Sequence, residues 1–189
     1  DFMKDLFKQG NKKQLSKKNS GLEKASSKND VQNFLSKVAA MPQTGGDARL
    51  IFSLDATASR EATWDIASQL QTEMFLSTQA LGGLNVQLCY FRGFGDFFSS
   101  DWQSNGDELV QIMSRISCQA GATQIERVLR HAMQENELKK IKCIVYIGDA
   151  MEENIDILAQ LAGKLGLLQI PIFMFQERGD PVARNAFIE

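Results

Sequence analysis

Three short segments of the chain hold carboxylate and hydroxyl side chains close together. They are Asp55-Ala56-Thr57-Ala58-Ser59, Gly121-Ala122-Thr123-Gln124 and Gly148-Asp149-Ala150-Met151-Glu152-Glu153. The first and third directly follow apolar runs of strand length, and the second stands at the start of a predicted helix. Ligands of an open α/β sheet bind outside the carboxyl ends of its strands, so these segments are candidates for one shared site.

The spacing of the oxygen-bearing side chains predicts a metal site. Asp55, Thr57 and Ser59 alternate along the chain, and alternate residues of an extended segment point the same way. Asp149 follows an adjacent parallel strand and can face the same point. Carboxylate and hydroxyl oxygens without a thiol or an imidazole suit a hard divalent cation. We therefore expect Mg²⁺, with Ca²⁺ or Mn²⁺ as alternatives.

The elements that must position these residues alternate along the chain. Strands are predicted at residues 50–54, 86–91, 97–102, 141–147 and 170–175, and helices at residues 63–81, 108–116, 123–136, 154–166 and from residue 181. Strands separated by helices imply right-handed crossovers and a mostly parallel sheet. We predict a doubly wound α/β domain with helices on both faces and one short antiparallel edge strand, residues 97–102.

The composition excludes several classes of protein. The chain has 189 residues, about one domain, and its 21 basic against 23 acidic side chains give a net charge of −2. That balance argues against a generally basic nucleic-acid binder, and no apolar run is long enough to span a membrane. Three cysteines without CxxC spacing argue against a disulfide framework and a zinc site. They favour a reducing, cytoplasmic setting.

The basic side chains are concentrated at the N-terminus. Residues 1–47 hold nine Lys against five acidic side chains. Residues 8–29 have few apolar side chains, so we predict a flexible basic arm over residues 1–29, with docking to a partner as an alternative role. Asp30 is expected to cap a helix over residues 31–41. This short helix and a linker fill residues 30–47, before the main domain at residues 48–189.

The three segments together resemble the metal-ion-dependent adhesion site of von Willebrand factor type A domains. Asp-x-Thr-x-Ser, from Asp55 to Ser59, is similar to the family's Asp-x-Ser-x-Ser, and a later Gly-x-Thr ends at Thr123. Asp149 after an apolar strand is similar to the third motif of the family. Arg60 and Phe175-Gln176-Glu177 make the chain most similar to a bacterial intracellular branch. The resemblance covers roughly residues 48–189 and implies a Rossmann-like fold.

The resemblance also implies a function, which is Mg²⁺-dependent binding of a protein without catalysis. Ser59, Thr57 and Thr123 would bind the ion directly, and Asp55 and Asp149 would act mostly through bound waters. One coordination position would be left for an Asp or Glu carboxylate of a partner protein. The rim residues expected to supply specificity are Arg60, Arg92, Gln124, Met151 and Glu152.

Two features of the sequence depart from this picture. Glu152 and Glu153 add negative charge beside the site, which works against an incoming carboxylate unless they act as supporting contacts or ligands. Domains of this type normally continue with another strand and helix after the segment equivalent to residues 181–189. We therefore expect the domain to be truncated at its C-terminus.

Two other interpretations are open from the residues alone. Asp55, Asp149 and Thr123 could each cap a following helix in a structural module without metal. The chain could also be a phosphotransferase, because Asp-x-Thr-x-Ser is similar to the phosphorylated loop of haloacid-dehalogenase-like enzymes. Asp55 would then be the nucleophile and Asp149 would hold Mg²⁺. Thr57 stands where those enzymes most often have a second Asp, which counts against this alternative.

The predicted arm can be tested by limited proteolysis. Trypsin is expected to cut residues 8–29 at their lysines and to leave a stable core that begins near Asp30 or Asp47. Amide protons of the arm should exchange rapidly with solvent. Protection of this stretch in the isolated monomer would contradict the prediction.

Overall fold

A five-stranded sheet forms the centre of the computed structural model. The structure describes residues 28–40, 48–64, 84–177 and 180–188, together with Ser68, Thr72, Glu73 and Leu76. The strands are β1 (Ala48–Asp55), β2 (Leu84–Arg92), β3 (Asp96–Ser99), β4 (Cys143–Gly148) and β5 (Ile172–Gln176). The helices with defined bounds are α1 (Lys28–Ala40), a 3₁₀ helix (Ala58–Thr63), α2 (Gly106–Met113), α3 (Ile125–Leu138), α4 (Ile155–Leu167) and α5 (Pro181–Ile188).

The sheet is mostly parallel. Its strand order is β3-β2-β1-β4-β5, and β1 in the centre pairs in parallel with β2 and β4. β5 runs parallel to β4 at one edge, and β3 runs antiparallel to β2 at the other. Helices pack on both faces. The predicted doubly wound α/β fold, with one short antiparallel edge strand, is therefore confirmed.

The two central strands are buried because helices cover both of their faces. Every residue of β4 is buried, as expected for a parallel strand that reads as a nearly continuous apolar run. On one face, Phe34 of α1 and Leu109 of α2 join the core; on the other, Val128 of α3, Leu161 of α4 and Ala183 of α5 do so.

Capping side chains decide where the helices begin. α2 begins at Gly106 rather than at residue 108, because the Asn105 side chain accepts the amide of Asp107. The Asn154 side chain caps α4 in the same way, so that helix begins one residue later than predicted. The predicted cap at Asp30 is wrong, since α1 begins at Lys28 and Asp30 lies within it.

Three strands are shorter than predicted: β4 begins at Cys143 instead of residue 141, and β3 and β5 differ for local reasons. β3 ends at Ser99, because the hydroxyl of Ser100 accepts the amide of Leu88. Trp102 therefore lies outside the strand, and the Arg49 guanidinium stacks 3.7 Å from the centre of its ring. β5 begins at Ile172 instead of residue 170, because Pro171 has no amide to donate to a ladder.

Some predicted segments lie mostly outside the described residues. These are the arm over residues 1–29, the linker over residues 41–47 and the helix over residues 63–81. Among the helices of the described ranges, none combines the length and the apolarity needed to cross a bilayer.

α1 belongs to the same core as the sheet. Its buried residues Phe34 and Val38 face the strands, and the ring of Phe34 packs edge-on against Phe173 and Phe175 of β5. The two ring-centre distances are 5.0 and 5.7 Å, within the range of stabilising aromatic pairs. The helix before β1 therefore covers one face of the edge strand β5.

Phe34→Ala should destabilise the chain strongly. Removing a buried aromatic ring costs about 3–5 kcal/mol of unfolding free energy, because it removes apolar burial and leaves a cavity. Urea unfolding followed by circular dichroism would measure the loss, with Gln32→Ala at an exposed position of the same helix as the control. Equal unfolding midpoints for the two variants would contradict the packing of α1 on the sheet.

Candidate metal centre

The site lies at the carboxyl ends of the two central strands. Asp55 is the last residue of β1, and Asp149 directly follows the last residue of β4. β1 and β4 are paired in parallel, with Leu54 opposite Ile147. The connection after β1 leads to β2 on one side, and the connection after β4 leads to β5 on the other, so this is the point at which open α/β sheets form their binding crevice.

Four of the predicted ligands are joined by hydrogen bonds, and we call these four residues the oxygen cluster. The amide of Thr57 donates to Asp55 Oδ1 at 2.8 Å, which folds the loop after β1 back over the strand end. Thr57 Oγ1 and Ser59 Oγ lie 3.1 Å apart. Ser59 Oγ donates to Asp149 Oδ1 at 3.1 Å. The cluster is buried at Asp55, Thr57 and Asp149 and exposed at Ser59, so a small ion can reach it from solvent.

One carboxylate oxygen of the cluster lacks a partner. Asp55 is 0% exposed, and its Oδ2 has no hydrogen-bond partner among the described residues. Burial raises the pKa of the Asp55 carboxyl, although hydrogen bonds from Thr57 and the charge of Arg60 oppose the rise. A buried anion with a free lone pair is costly unless a cation or a donor meets it. The oxygen cluster therefore fits a divalent cation.

The donor set consists of carboxylates and hydroxyls. Within the described ranges, no group of three or more His, Cys, Asp or Glu side chains is arranged to hold a metal ion. The cluster supplies two carboxylates and two hydroxyls instead. Such a set favours a hard cation that keeps some of its waters, as Mg²⁺ does.

Thr123 lies beside the oxygen cluster and makes its hydrogen bonds elsewhere. Its hydroxyl accepts the amide of Glu152 at 3.1 Å, and its amide donates to Glu152 Oε2 at 3.2 Å. Glu152 stands three residues after Asp149, so this reciprocal pair holds the Gly121–Thr123 loop against the loop after β4. Hydrogen bonds thus join four of the five predicted ligands directly. The fifth, Thr123, is bound to Glu152, on the loop that begins with Asp149.

The two acidic residues after Asp149 are bound to backbone amides. Glu153 accepts the amides of Ile125 and Glu126 at 2.5 and 2.8 Å and so caps α3 from another loop. α3 therefore begins at Ile125 rather than at residue 123. These contacts use the negative charges to anchor loops, as the supporting role anticipated for Glu152 and Glu153 requires.

The structure does not support helix capping as the reason for the site residues. Glu153 caps α3 and Asn154 caps α4, so neither Thr123 nor Asp149 is needed there. Thr57 and not Asp55 stands at the N-cap of the 3₁₀ helix, and the Thr57 side chain makes no capping hydrogen bond.

Two of the predicted rim residues are buried instead. Arg60 is 0% exposed, and its guanidinium binds both carboxylate oxygens of Glu177 at 2.9 Å. Met151 packs in the core between the sheet and its helices. The prediction of a rim role is therefore wrong for both, because each side chain finds partners inside the fold. Arg92 and Gln124 are half-buried at the surface, and Glu152 is exposed.

Glu177 is the residue that sequence reasoning missed. It follows β5, and its amide donates to the carbonyl of Gly148 at 2.9 Å. The sequence marked Glu177 only as a point of resemblance and Arg60 as a rim residue as well. Nothing in their spacing showed that they form an ion pair across 117 positions of the chain.

The fold places the chain beside several solved structures. Searches against protein families and curated proteins return no match. The D319A mutant of the PilB minor pilin from Streptococcus sanguinis aligns over 58% of this chain at 14% identity, with a TM-score of 0.50. The two chains share a fold. The aligned part is 31% of the pilin's own length.

Two further structures align with lower scores. The pilus adhesin SpaC from Lactobacillus rhamnosus GG covers 57% of this chain and 15% of its own, at 20% identity and a TM-score of 0.47. The vWF domain of the type V pili tip protein Mfa5 from Porphyromonas gingivalis covers 55% and 38%, at 16% identity and a TM-score of 0.44. The chain spans well under half the length of all three proteins, and the likeness concerns the fold alone.

Asp55→Asn should stabilise the metal-free chain. The substitution removes a buried charge while it keeps an oxygen that can accept the amide of Thr57. Because the folded pKa of Asp55 is raised, the folded state resists ionisation, and stability falls as pH rises above the ordinary value of 3.8. The thermal midpoint of the variant in chelator should therefore exceed that of the parent at neutral pH and converge with it in acid.

Differential scanning calorimetry across the acid to neutral range would measure this gap. Asp101→Asn, at an exposed position, is the matched control and should leave the midpoint unchanged. An Asp55→Asn chain that melts below the parent at neutral pH would show that the carboxylate is well compensated without metal.

Proposed function

We propose that this chain is a Mg²⁺-dependent protein-binding module, and that the oxygen cluster together with Thr123 holds the ion. The unpartnered, fully buried Oδ2 of Asp55 is the observation that carries the proposal, since the surrounding fold leaves this atom without a donor among the described residues. The partner would be a protein that presents an Asp or Glu carboxylate.

The site residues would contact the ion in two ways, directly or through bound water. Ser59 is exposed, and Thr57 beside it is buried. The hydroxyls of these two residues would bind the ion directly. Asp55 and Asp149 lie deeper and would act mostly through water. The Thr123 hydroxyl uses one lone pair to accept the Glu152 amide, and its second lone pair would bind the ion. When bound, Mg²⁺ supplies a positive charge and an open position that a carboxylate can fill.

The phosphotransferase alternative has less support. A nucleophilic carboxylate must reach a phosphorus atom in line, whereas Asp55 is fully buried and its Oδ1 is engaged by the Thr57 amide. The solved structures that align with this chain include pilus proteins and a vWF domain of a pilus tip protein. We therefore propose a binding role without catalysis.

The cellular setting is part of the same proposal. Cys89 and Cys143 are buried free thiols, and Cys118 is half-buried and free. Free thiols persist in a reducing compartment, so the cytoplasm of a bacterium remains our expectation for this chain.

Mg²⁺ binding should depend on the hydroxyl of Ser59. Isothermal titration calorimetry of the full chain with MgCl₂ should show one site, and Ser59→Ala should weaken it by about tenfold or more because a coordinating oxygen is lost. Ser36→Ala, at an exposed position of α1, is the matched control and should bind as the parent does. Equal heats for the two variants would place any bound ion elsewhere, and the same titration with CaCl₂ would compare the two cations.

The carboxylate preference needs a separate probe. N-acetyl-aspartate amide, added to ¹⁵N-labelled chain in Mg²⁺, should shift the amide signals of residues 57–59 and 121–123, and chelator should reverse the shifts. N-acetyl-asparagine amide is the uncharged control. Equal shifts from both would contradict carboxylate recognition, while turnover of p-nitrophenyl phosphate that is lost in Asp55→Asn would favour the enzyme.

A further inference from the structure

The tip of the β2–β3 hairpin exposes a single aromatic ring. Phe94 is 90% exposed, between Gly93 and Gly95. The other rings of the hairpin are less exposed: Phe97 lies 5.4 Å from the ring of His131, and Phe98, which is 39% exposed, stacks at 5.1 Å on Tyr90. An isolated exposed apolar side chain is common on protein surfaces, so exposure alone shows nothing about this residue.

The backbone that carries Phe94 is held on both sides. The carbonyl of Gly93 accepts the amide of Ala122 at 3.3 Å, and the carbonyl of Gly95 accepts the Arg127 guanidinium at 2.7 Å. The Gln124 side chain adds bonds to the carbonyls of the two residues that flank the tip, at 3.3 and 3.4 Å. The ring therefore projects from a braced turn, and little backbone entropy would be lost when a partner covers it.

The same bracing places the tip next to the oxygen cluster. The segment between Cys118 and Thr123 lies between them: Gln119 pairs with the Thr57 segment through bonds of 3.0 Å on one side, and Gly121 packs against Gly93 on the other. A Cβ at position 121 would overlap the carbonyl of Gly93, so only glycine permits this approach. One loop thus joins the proposed metal ligand Thr123 to the turn that carries Phe94.

Cationic side chains flank the hairpin on both faces of the sheet, since Phe97 and Tyr90 pack against different core clusters. The Arg127 guanidinium lies 5.1 Å from the centre of the Phe97 ring, and Arg92 lies over Tyr90 at 5.8 Å. Arg127 is exposed and Arg92 is half-buried. Arg92 is paired with Asp96 at 3.8 Å, so Arg127 would be the main attraction for an acidic surface near the tip, which complements the carboxylate that the proposed function requires.

We propose that Phe94 is the apolar anchor of the partner interface, and that the partner surface presents a carboxylate beside an apolar pocket. This inference rests on the proposed function of the oxygen cluster and adds a second contact point to it. A rigid aromatic side chain that fills a pocket is the typical centre of a binding hot spot, while charged neighbours guide the approach.

Two other exposed apolar side chains provide matched controls. Leu138 and Leu167 are 81% and 87% exposed, at the C-terminal ends of α3 and α4. α4 connects the carboxyl end of β4 to the amino end of β5. Leu167 at the end of α4 therefore lies near the amino ends of the strands, whereas the oxygen cluster lies at their carboxyl ends. A general effect of surface hydrophobicity would appear at Leu167 as well as at Phe94.

A displayed library of random peptides, selected against the full chain in Mg²⁺, is a suitable probe. Each enriched peptide would be synthesised and its affinity measured by fluorescence anisotropy for the parent, Phe94→Ser, Phe94→Trp, Leu167→Ser and Ser59→Ala. The enriched peptides should combine an Asp or Glu with neighbouring apolar residues. Phe94→Ser should weaken their binding by about tenfold or more, while Phe94→Trp and Leu167→Ser should bind nearly as the parent does.

The outcomes separate this inference from the function on which it rests. Peptides that need Mg²⁺ and Ser59 but bind Phe94→Ser as tightly as the parent would overturn the inference and leave the proposed function intact. Peptides that bind equally in chelator and to Ser59→Ala would overturn the proposed function. Failure to select any peptide whose binding depends on Phe94 would also overturn the inference. Calorimetric Mg²⁺ affinity of Phe94→Ser should equal that of the parent, which excludes damage to the metal site.

Discussion

A guanidinium without access to solvent joins the strand ends on which the site is built. Arg60 reaches the carbonyl of Asp55 at the end of β1 and both carboxylate oxygens of Glu177 after β5. The Glu177 amide in turn binds the carbonyl of Gly148 at the end of β4. Removing one member of a buried ion pair usually costs about 3–5 kcal/mol, because the other charge is left uncompensated. The carboxyl ends of the neighbouring strands β1, β4 and β5 are thereby held together at one end of the sheet.

Because these strand ends are fixed, Asp55 can stay buried near a second carboxylate, that of Asp149. Its position follows from β1, whose backbone is paired on both sides, and its carbonyl is held by Arg60. The Asp55 side chain is 0% exposed, and its Oδ2 has no hydrogen-bond donor among the described residues. A buried carboxylate oxygen without a partner costs stability, and under the proposed function a bound cation would offset that cost.

The parts of the fold that the sequence predicted are those determined by local pattern. Apolar runs gave β1 and β4, and the alternation of Asp55, Thr57 and Ser59 placed three oxygens on one loop. The start of α3 could not be predicted, because its cap, Glu153, comes from a loop 28 positions away. The burial of Arg60 was missed for a similar reason. A charged residue after a strand normally reads as surface, and only Glu177 across the sheet makes its burial tolerable.

The Gly121–Thr123 loop lies between the two proposed contact points, the oxygen cluster and Phe94, and is bonded on both sides. Thr123 is bound reciprocally to Glu152, and the neighbouring Ala122 donates to the carbonyl of Gly93 at the hairpin tip. If the Thr123 hydroxyl binds an ion with its second lone pair, the ion would draw on the same loop that Glu152 holds. Gly121 packs too closely on Gly93 for the hairpin to remain unaffected by a shift of that loop. Under the proposed function, occupancy of the oxygen cluster and the position of Phe94 would therefore be coupled through this one short segment.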